Sequence, residues 1–221
     1  MRKAILFDLD GTIADTIPAI CEGINRTMRK RGYPEHTEKE ILGFINHGAR
    51  ELIRRAMPEE LRDNDALVDE VLSEYDREYS GVFHITDRTY EGMAELIAEL
   101  HATGYAIGIL SNKQDRFVKE LAERILLPDS WDVAQGVIPG KPTKPHPYLA
   151  TLVCEALGVS PSQCVVVGDS HVDIDTAKNA SMAHIGVSWG FRDEEFLRSH
   201  GATQIAHTPA ELLEIIEAMR A

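Results

Sequence analysis

Four short stretches of this sequence carry residues whose types and spacing could do chemistry. Asp8-Leu9-Asp10-Gly11-Thr12 holds two carboxylates two positions apart. On a strand such a pair shares one face, and Gly11 lets the chain turn just past a strand end, so both can reach one ligand. One carboxylate can then attack while the other moves protons. Read alone, the pair also suits two solvated acids in a turn. Gly168-Asp169-Ser170-His171-Val172-Asp173 adds two more acids. Asp169 and Asp173 are four residues apart, about one helical turn, so they share a face if the chain starts to coil there. With Asp8 they form an oxygen-rich, hard site suited to Mg²⁺; an acidic helix start favoured by the helix dipole is the plainer reading. Ser111 offers a hydroxyl that could donate to a phosphate oxygen, or cap a helix starting near Gln114. Lys144 lies in Lys144-Pro145-His146-Pro147, where prolines on both sides stiffen the backbone and fix where the ammonium points. A lysine in a surface turn is the alternative.

The elements around these residues give them a common place. Residues 4–7 are a short, continuous apolar run that ends at Asp8, and similar runs lie at 105–110, 165–167 and 184–187. Such runs read as buried parallel strands. Weaker ones lie at 131–134 and 203–206. Helical stripes alternate with them: Met93, Leu96, Ile97, Leu100; Phe117, Val118, Leu121, Ile125; Leu149, Leu152, Val153, Ala156; and Leu212, Leu213, Ile216, Met219. Gly104 and Gly158 supply stops. Strand–helix alternation predicts an α/β fold with a doubly wound parallel sheet. In that architecture Asp8, Ser111 and Asp169 would all lie at carboxyl ends of strands, on one edge of the sheet. Residues 15–80 show no convincing strand. Thr37 and Glu40 form a capping-box pattern, and Val68, Val71, Leu72, Tyr75 and Tyr79 make an apolar stripe. An all-helical insertion is expected over 15–81, with the α/β core formed by 1–14 and 82–221.

Composition narrows the function classes. Asp plus Glu number 36 against 23 Lys plus Arg, a formal charge of −13. A nucleic acid would be repelled, whereas a small anion can be bound if a metal ion and a few cations reverse the local field. Cys21, Cys154 and Cys164 are too few and too scattered for a disulfide framework or a zinc site, and read as reduced thiols. Arg2 and Lys3 precede an apolar run too short for a signal peptide, and no stretch approaches a membrane span. A cytoplasmic protein with no membrane partner is expected.

The ordered set Asp8-x-Asp10-Gly11-Thr12, Ser111, Lys144-Pro145-x-Pro147 and Gly168-Asp169-Ser170-x-x-Asp173 resembles the four motifs of the haloacid dehalogenase-like (HAD) superfamily over nearly the whole chain. The helical insertion directly after the first motif is similar to that family's C1 cap, and Ser188-Trp189-Gly190-Phe191-Arg192 with Gly201-Ala202 resembles its phosphoglycolate phosphatases. The resemblance implies that Asp8 attacks phosphorus and Asp10 acts as general acid, then base. It implies that Ser111, with Asn112 beside it, and Lys144 hold phosphoryl oxygens. Mg²⁺ would be held by Asp8, the backbone carbonyl of Asp10 and Asp169, with Asp173 orienting metal-bound water. The dehalogenases of the superfamily usually lack the second motif acid, so Asp10 favours phosphoryl transfer. A Mg²⁺-dependent phosphatase of a small phosphorylated metabolite is expected, as a monomer or homodimer, with 2-phosphoglycolate the leading substrate and Asn46, His47 and Arg50 candidate readers of the leaving group. A β-phosphoglucomutase-like mutase, an inorganic pyrophosphatase and a non-enzymatic binding scaffold are the alternatives. Gly186-x-Ser188-x-Gly190, followed by Asp193 and His207, formally matches a serine-hydrolase elbow, but too little chain follows Ser188 to build the rest of that fold.

Overall fold

The computed structural model of the chain describes residues 3–86, 88–124 and 126–219; Arg2 and Ile125, both used above, lie outside them. Strand β1 (Ala4–Phe7) is followed by four helices, α1 (Ile17–Arg31), α2 (Glu38–Leu42), α3 (Ala49–Ala56) and α4 (Asp65–Ser80). The chain then alternates: α5 (Met93–Ala102), β2 (Ala106–Gln114), α6 (Asp115–Arg124), β3 (Val133–Val137), α7 (Tyr148–Leu157), β4 (Cys164–Gly168), α8 (His171–Asn179), β5 (Ala183–Val187), α9 (Glu194–Ser199), β6 (Ile205–Ala206) and α10 (Pro209–Ala218). It divides into two compact units, Met1–Asp15 with Arg88–Ala221, and Thr16–Asp87. A 3₁₀ turn at Phe83–Ile85 packs against α1 and groups with the smaller unit.

In the larger unit the strands form one parallel sheet of order β3-β2-β1-β4-β5-β6. The chain winds outward from β1 in both directions, so the switch point lies between β1 and β4, the place where ligands bind in such sheets. Both faces are covered, which is why β1 and β4 are buried at every position. Leu6, Leu110, Leu149, Val153 and Cys164 share one core cluster, and each fully buried Leu or Val there contributes roughly 1.5–3 kcal/mol. Helices α6 and α7 pack on β2 and β3, and α8 packs on β4 and β5. The thiols of Cys154 and Cys164, ten residues apart in sequence, meet in that core with their sulfurs 3.2 Å apart. β2 runs on through Gln114, past the expected end at Leu110, with a register irregularity against β3 between Leu110 and Gln114.

The smaller unit is helical throughout its regular elements. Val68, Val71, Tyr75 and Tyr79 are the buried positions of α4. They face α1, where a Cβ at Gly23 would stand 3.1 Å from the Tyr79 ring and 3.2 Å from that of Tyr75. Arg31 reaches across to Glu74 at 2.6 Å. The Thr37–Glu40 capping box forms as its spacing predicts. Among the described residues no helix is long and apolar enough to cross a membrane.

Candidate active site

The site grows out of the switch point. The Asp8 N–H donates to the Val167 carbonyl at 2.8 Å, extending the β1–β4 ladder by one residue and setting Asp8 beside the turn that begins at Gly168. Ser170 caps α8, and its N–H and hydroxyl donate to Asp173 Oδ2 at 3.2 and 2.6 Å. The chain therefore starts to coil as the four-residue spacing requires. Asp8, Asp169 and Asp173 are all buried and offer carboxylate oxygens within 4.8 Å of one another. Lys144 comes from the loop before α7 and is buried as well. Its Nζ donates to Asp8 Oδ1 at 2.8 Å, Asp173 Oδ1 at 2.7 Å and the Leu110 carbonyl at 2.9 Å. The Lys144–Pro145 peptide bond is cis. Asn112 holds this loop from both sides: its Nδ2 donates to the Lys144 carbonyl at 2.9 Å, and its Oδ1 accepts the Lys144 N–H at 2.8 Å.

Burial and charge pull against each other here. Burial pushes the Asp8 carboxyl up to about 7, against the pull of Lys144, while Asp173 and Asp10 push the same way as burial. Asp169 is held well above the ordinary carboxylate range by burial and by the charges of Asp173 and Asp8. Burial opposes the Lys144 charge, yet Asp173 and Asp8 outweigh it and hold the ammonium above its usual range. One lysine cannot balance three buried acids. Asp169 Oδ2 accepts the Phe191 N–H at 2.6 Å, but its Oδ1 is buried with no hydrogen-bond partner among the described residues. An orphaned carboxylate oxygen, two more carboxylates within reach and an excess of negative charge suit a hard divalent cation. The Asp10 side chain lies outside this group; the metal role expected of Asp10 falls on its backbone carbonyl, not its carboxylate. Its Oδ1 instead pairs with Lys113 Nζ at 2.8 Å.

Three glycines let the backbone approach this closely. A Cβ at Gly11, whose φ is +83°, would sit 2.3 Å from Asp169 Oδ2, and one at Gly168 would sit 2.2 Å from Asp173 Cγ. One at Gly190 would sit 2.1 Å from the Gly11 carbonyl oxygen.

The remaining predicted residues fall into place unevenly. Ser111 is buried inside β2 beyond Leu110, and its Oγ accepts the Lys113 N–H at 3.2 Å. The Asn112 side chain positions the Lys144 loop. Arg50 does not present a free guanidinium. Nε donates to Asp69 at 2.6 Å and Nη2 to Asp65 at 2.9 Å, both acids of its own unit. Asn46 takes a left-handed backbone, φ 82°, and burial with the nearby Arg55 charge lowers the basicity of His47. The serine-hydrolase pattern does not assemble. Ser188 Oγ faces the Ala206 carbonyl, Asp193 caps α9, and the His207 ring is held by Glu194 and Glu211. Sequence reading missed Lys113, the Phe191 N–H and Gly190. Lys113 lies two residues after Ser111, the period at which strand residues share a face, and that was the available signal.

A doubly wound sheet with this cluster at its switch point defines a class. The family model for haloacid dehalogenase-like hydrolases matches residues 5–187, and the chain belongs to that family. Within it the chain falls among phosphatases. It is 31% identical over 220 residues to the phosphoglycolate phosphatase of Vibrio vulnificus, covering 97% of this chain and 96% of that one. It is 30% identical over 221 residues to the N-acetylmuramic acid 6-phosphate phosphatase of Pseudomonas putida, again covering 97% and 96%. A crystal structure from Lactobacillus delbrueckii subsp. bulgaricus, assigned provisionally as a phosphoglycolate phosphatase, superposes with a TM-score of 0.90 at 32% identity, covering 98% of this chain and 99% of that one.

Proposed function

We propose that this phosphatase works through an aspartyl-phosphate on Asp8 and acts on a small phosphomonoester with an acidic leaving group, 2-phosphoglycolate first among the candidates. The observation that carries the reading is the buried Asp8 carboxylate, held by Lys144 within the Asp8–Asp169–Asp173 group. In the first step Asp8 attacks phosphorus, the bond to the ester oxygen breaks, and Asp10 gives that oxygen a proton. In the second step Asp10 takes a proton from water as the water attacks phosphorus, and the phosphorus–oxygen bond to Asp8 breaks. Ser111 and Lys144 hold the phosphoryl oxygens in both steps. Mg²⁺ would be held by Asp8 and Asp169 with Asp173 beside them, and would supply positive charge to offset the carboxylates and the charge of the transferring group.

These groups serve any phosphomonoester, so selectivity rests on residues outside the motifs. With Arg50 paired to Asp65 and Asp69, Asn46 and His47 remain the candidates in the helical unit. The names of the relatives support two substrates, 2-phosphoglycolate and N-acetylmuramic acid 6-phosphate, and both leaving groups carry a carboxylate. The test is kcat/KM with Mg²⁺ for these two, pyrophosphate, β-glucose 1-phosphate and uncharged alkyl phosphates, read as released phosphate. 2-Phosphoglycolate should rank first. If pyrophosphate or β-glucose 1-phosphate exceeds both acidic esters, the substrate assignment is wrong.

A further inference from the structure

Lys113 belongs to none of the four motifs, yet its ammonium is nearly buried, with 7% of its side chain exposed, and lies 2.8 Å from Asp10 Oδ1. That oxygen is itself buried and has no hydrogen-bond partner beyond this ion pair among the described residues. Asp10 sits in a turn after β1, fixed by the Gly11 N–H bond to the Ala14 carbonyl at 2.9 Å, and a turn leaves its side chain several staggered positions. The charge of the Asp8 carboxylate acts against it. Lys144, the other ammonium here, is spent on Asp8 and Asp173. Lys113 is therefore the charge that keeps Asp10 in one place.

The backbone under Lys113 is built for that aim. The register of β2 against β3 shifts between Leu110 and Gln114, and such irregularities re-aim a side chain beside a site. The Lys113 N–H is tied to Ser111 Oγ at 3.2 Å. On the next strand Gly136 comes so close that a Cβ there would stand 2.6 Å from the Lys113 carbonyl oxygen. Asp115 locks the crossing by accepting the Gly136 N–H at 3.0 Å and the Gln135 amide at 2.9 Å.

We infer that Lys113 is a positioning residue for Asp10, delivered by the β2 irregularity and holding the proton-transferring carboxylate in its working rotamer. This rests on the reading of Asp10 as the general acid and base.

A positioning role makes the loss on removing Lys113 depend on how much the leaving group needs a proton. Lys113→Met should lower kcat for an alkyl phosphate by about 10- to 100-fold, the scale of a side chain misplaced by about 1 Å. The loss should be smaller for p-nitrophenyl phosphate, whose leaving group departs without protonation. Lys113→Arg keeps the charge and should recover part of the loss. In an Asp10→Asn background Lys113→Met should cost little more, since its partner is already disabled. Melting curves of the single variants establish that each is folded. Equal losses on both substrates, or full additivity with Asp10→Asn, would overturn the inference. An Asp10→Asn variant with no leaving-group dependence would remove the general-acid reading itself, and the inference with it.

Discussion

Gly190→Ala tests whether the approach of two backbone segments sets the geometry of the acidic cluster. The added Cβ would stand 2.1 Å from the Gly11 carbonyl oxygen and 2.6 Å from both Cβ and Oδ2 of Asp169. Neither neighbour is a flexible chain end: one is backbone in the turn carrying Asp10, the other a buried carboxylate held by the Phe191 N–H. Restoring ordinary contact requires a displacement of about 1 Å. Overpacking of this kind costs about 1–3 kcal/mol, and for a chain of this size each kcal/mol lowers Tm by about 2–4 °C. The same displacement moves Asp169 relative to Asp8, which should cost about 100-fold in kcat. Gly104→Ala is the control. Nothing lies within 4 Å of its Cβ, and its φ is +84°, so it should cost about 1 kcal/mol of stability and leave kcat unchanged. Steady-state kinetics and melting curves of the two variants, side by side, give the answer. A Gly190→Ala enzyme with wild-type kcat and Tm would refute the geometric argument.

Other outcomes follow from the same site. Chelation with EDTA should abolish turnover and Mg²⁺ should restore it; since a ligand at 100 times its Kd adds about 2.7 kcal/mol, Mg²⁺ should also raise Tm, and activity or Tm indifferent to both treatments would count against a metal at the cluster. Asp10→Asn should cut alkyl-phosphate hydrolysis by about 10²–10⁴-fold and p-nitrophenyl phosphate hydrolysis less, as seen in parallel kcat measurements. Lys144→Met leaves two buried carboxylates without their cation, a change of about 3–5 kcal/mol, and chemical denaturation in the absence of metal should reveal it. His184 sits in β5 with Nε2 buried and unpartnered among the described residues, and burial lowers its pKa from 6.5 to about 4, the Asp173 charge only partly opposing. The unfolded chain takes up that proton below pH 6.5 and the native chain resists until about pH 4, so stability should fall as pH drops through this window, by on the order of 2–3 kcal/mol; His184→Leu should flatten that slope in urea titrations at pH 7 and pH 5.

The sheet was legible because its strands are buried on both faces. Residues 4–7 and 165–167 read as unbroken apolar runs, and both are strands in the structure, as Ala4–Phe7 and within Cys164–Gly168. Helix stops were legible for a similar reason, since Gly158 takes the left-handed cap its type favours. β2 was harder. Its last four residues are Ser, Asn, Lys and Gln, which apolar patterning reads as loop. Pairing to β3 across an irregular register keeps them in the sheet, and tertiary context of that kind leaves no local mark.

The cluster was legible through convergence of Asp8, Lys144, Asp169 and Asp173, each with an ordinary alternative when read singly. What the sequence hid was pairing. Nothing local ties Lys113 to Asp10 across two strands, or Arg50 to Asp65 and Asp69 across two helices. Spacing shows the Arg50 guanidinium but not the acids paired with it.

The claim on which everything rests is that Asp8 becomes covalently phosphorylated. The direct measurement is a rapid acid quench of the Asp10→Asn variant, in which the second step is slowed, during turnover of p-nitrophenyl phosphate with Mg²⁺, followed by peptide mass spectrometry. The account predicts a phosphoryl adduct on the peptide containing Asp8, localised to that residue and absent when Asp8→Asn is added. Continued release of phosphate with no adduct at any quench time, or an adduct elsewhere, would contradict it.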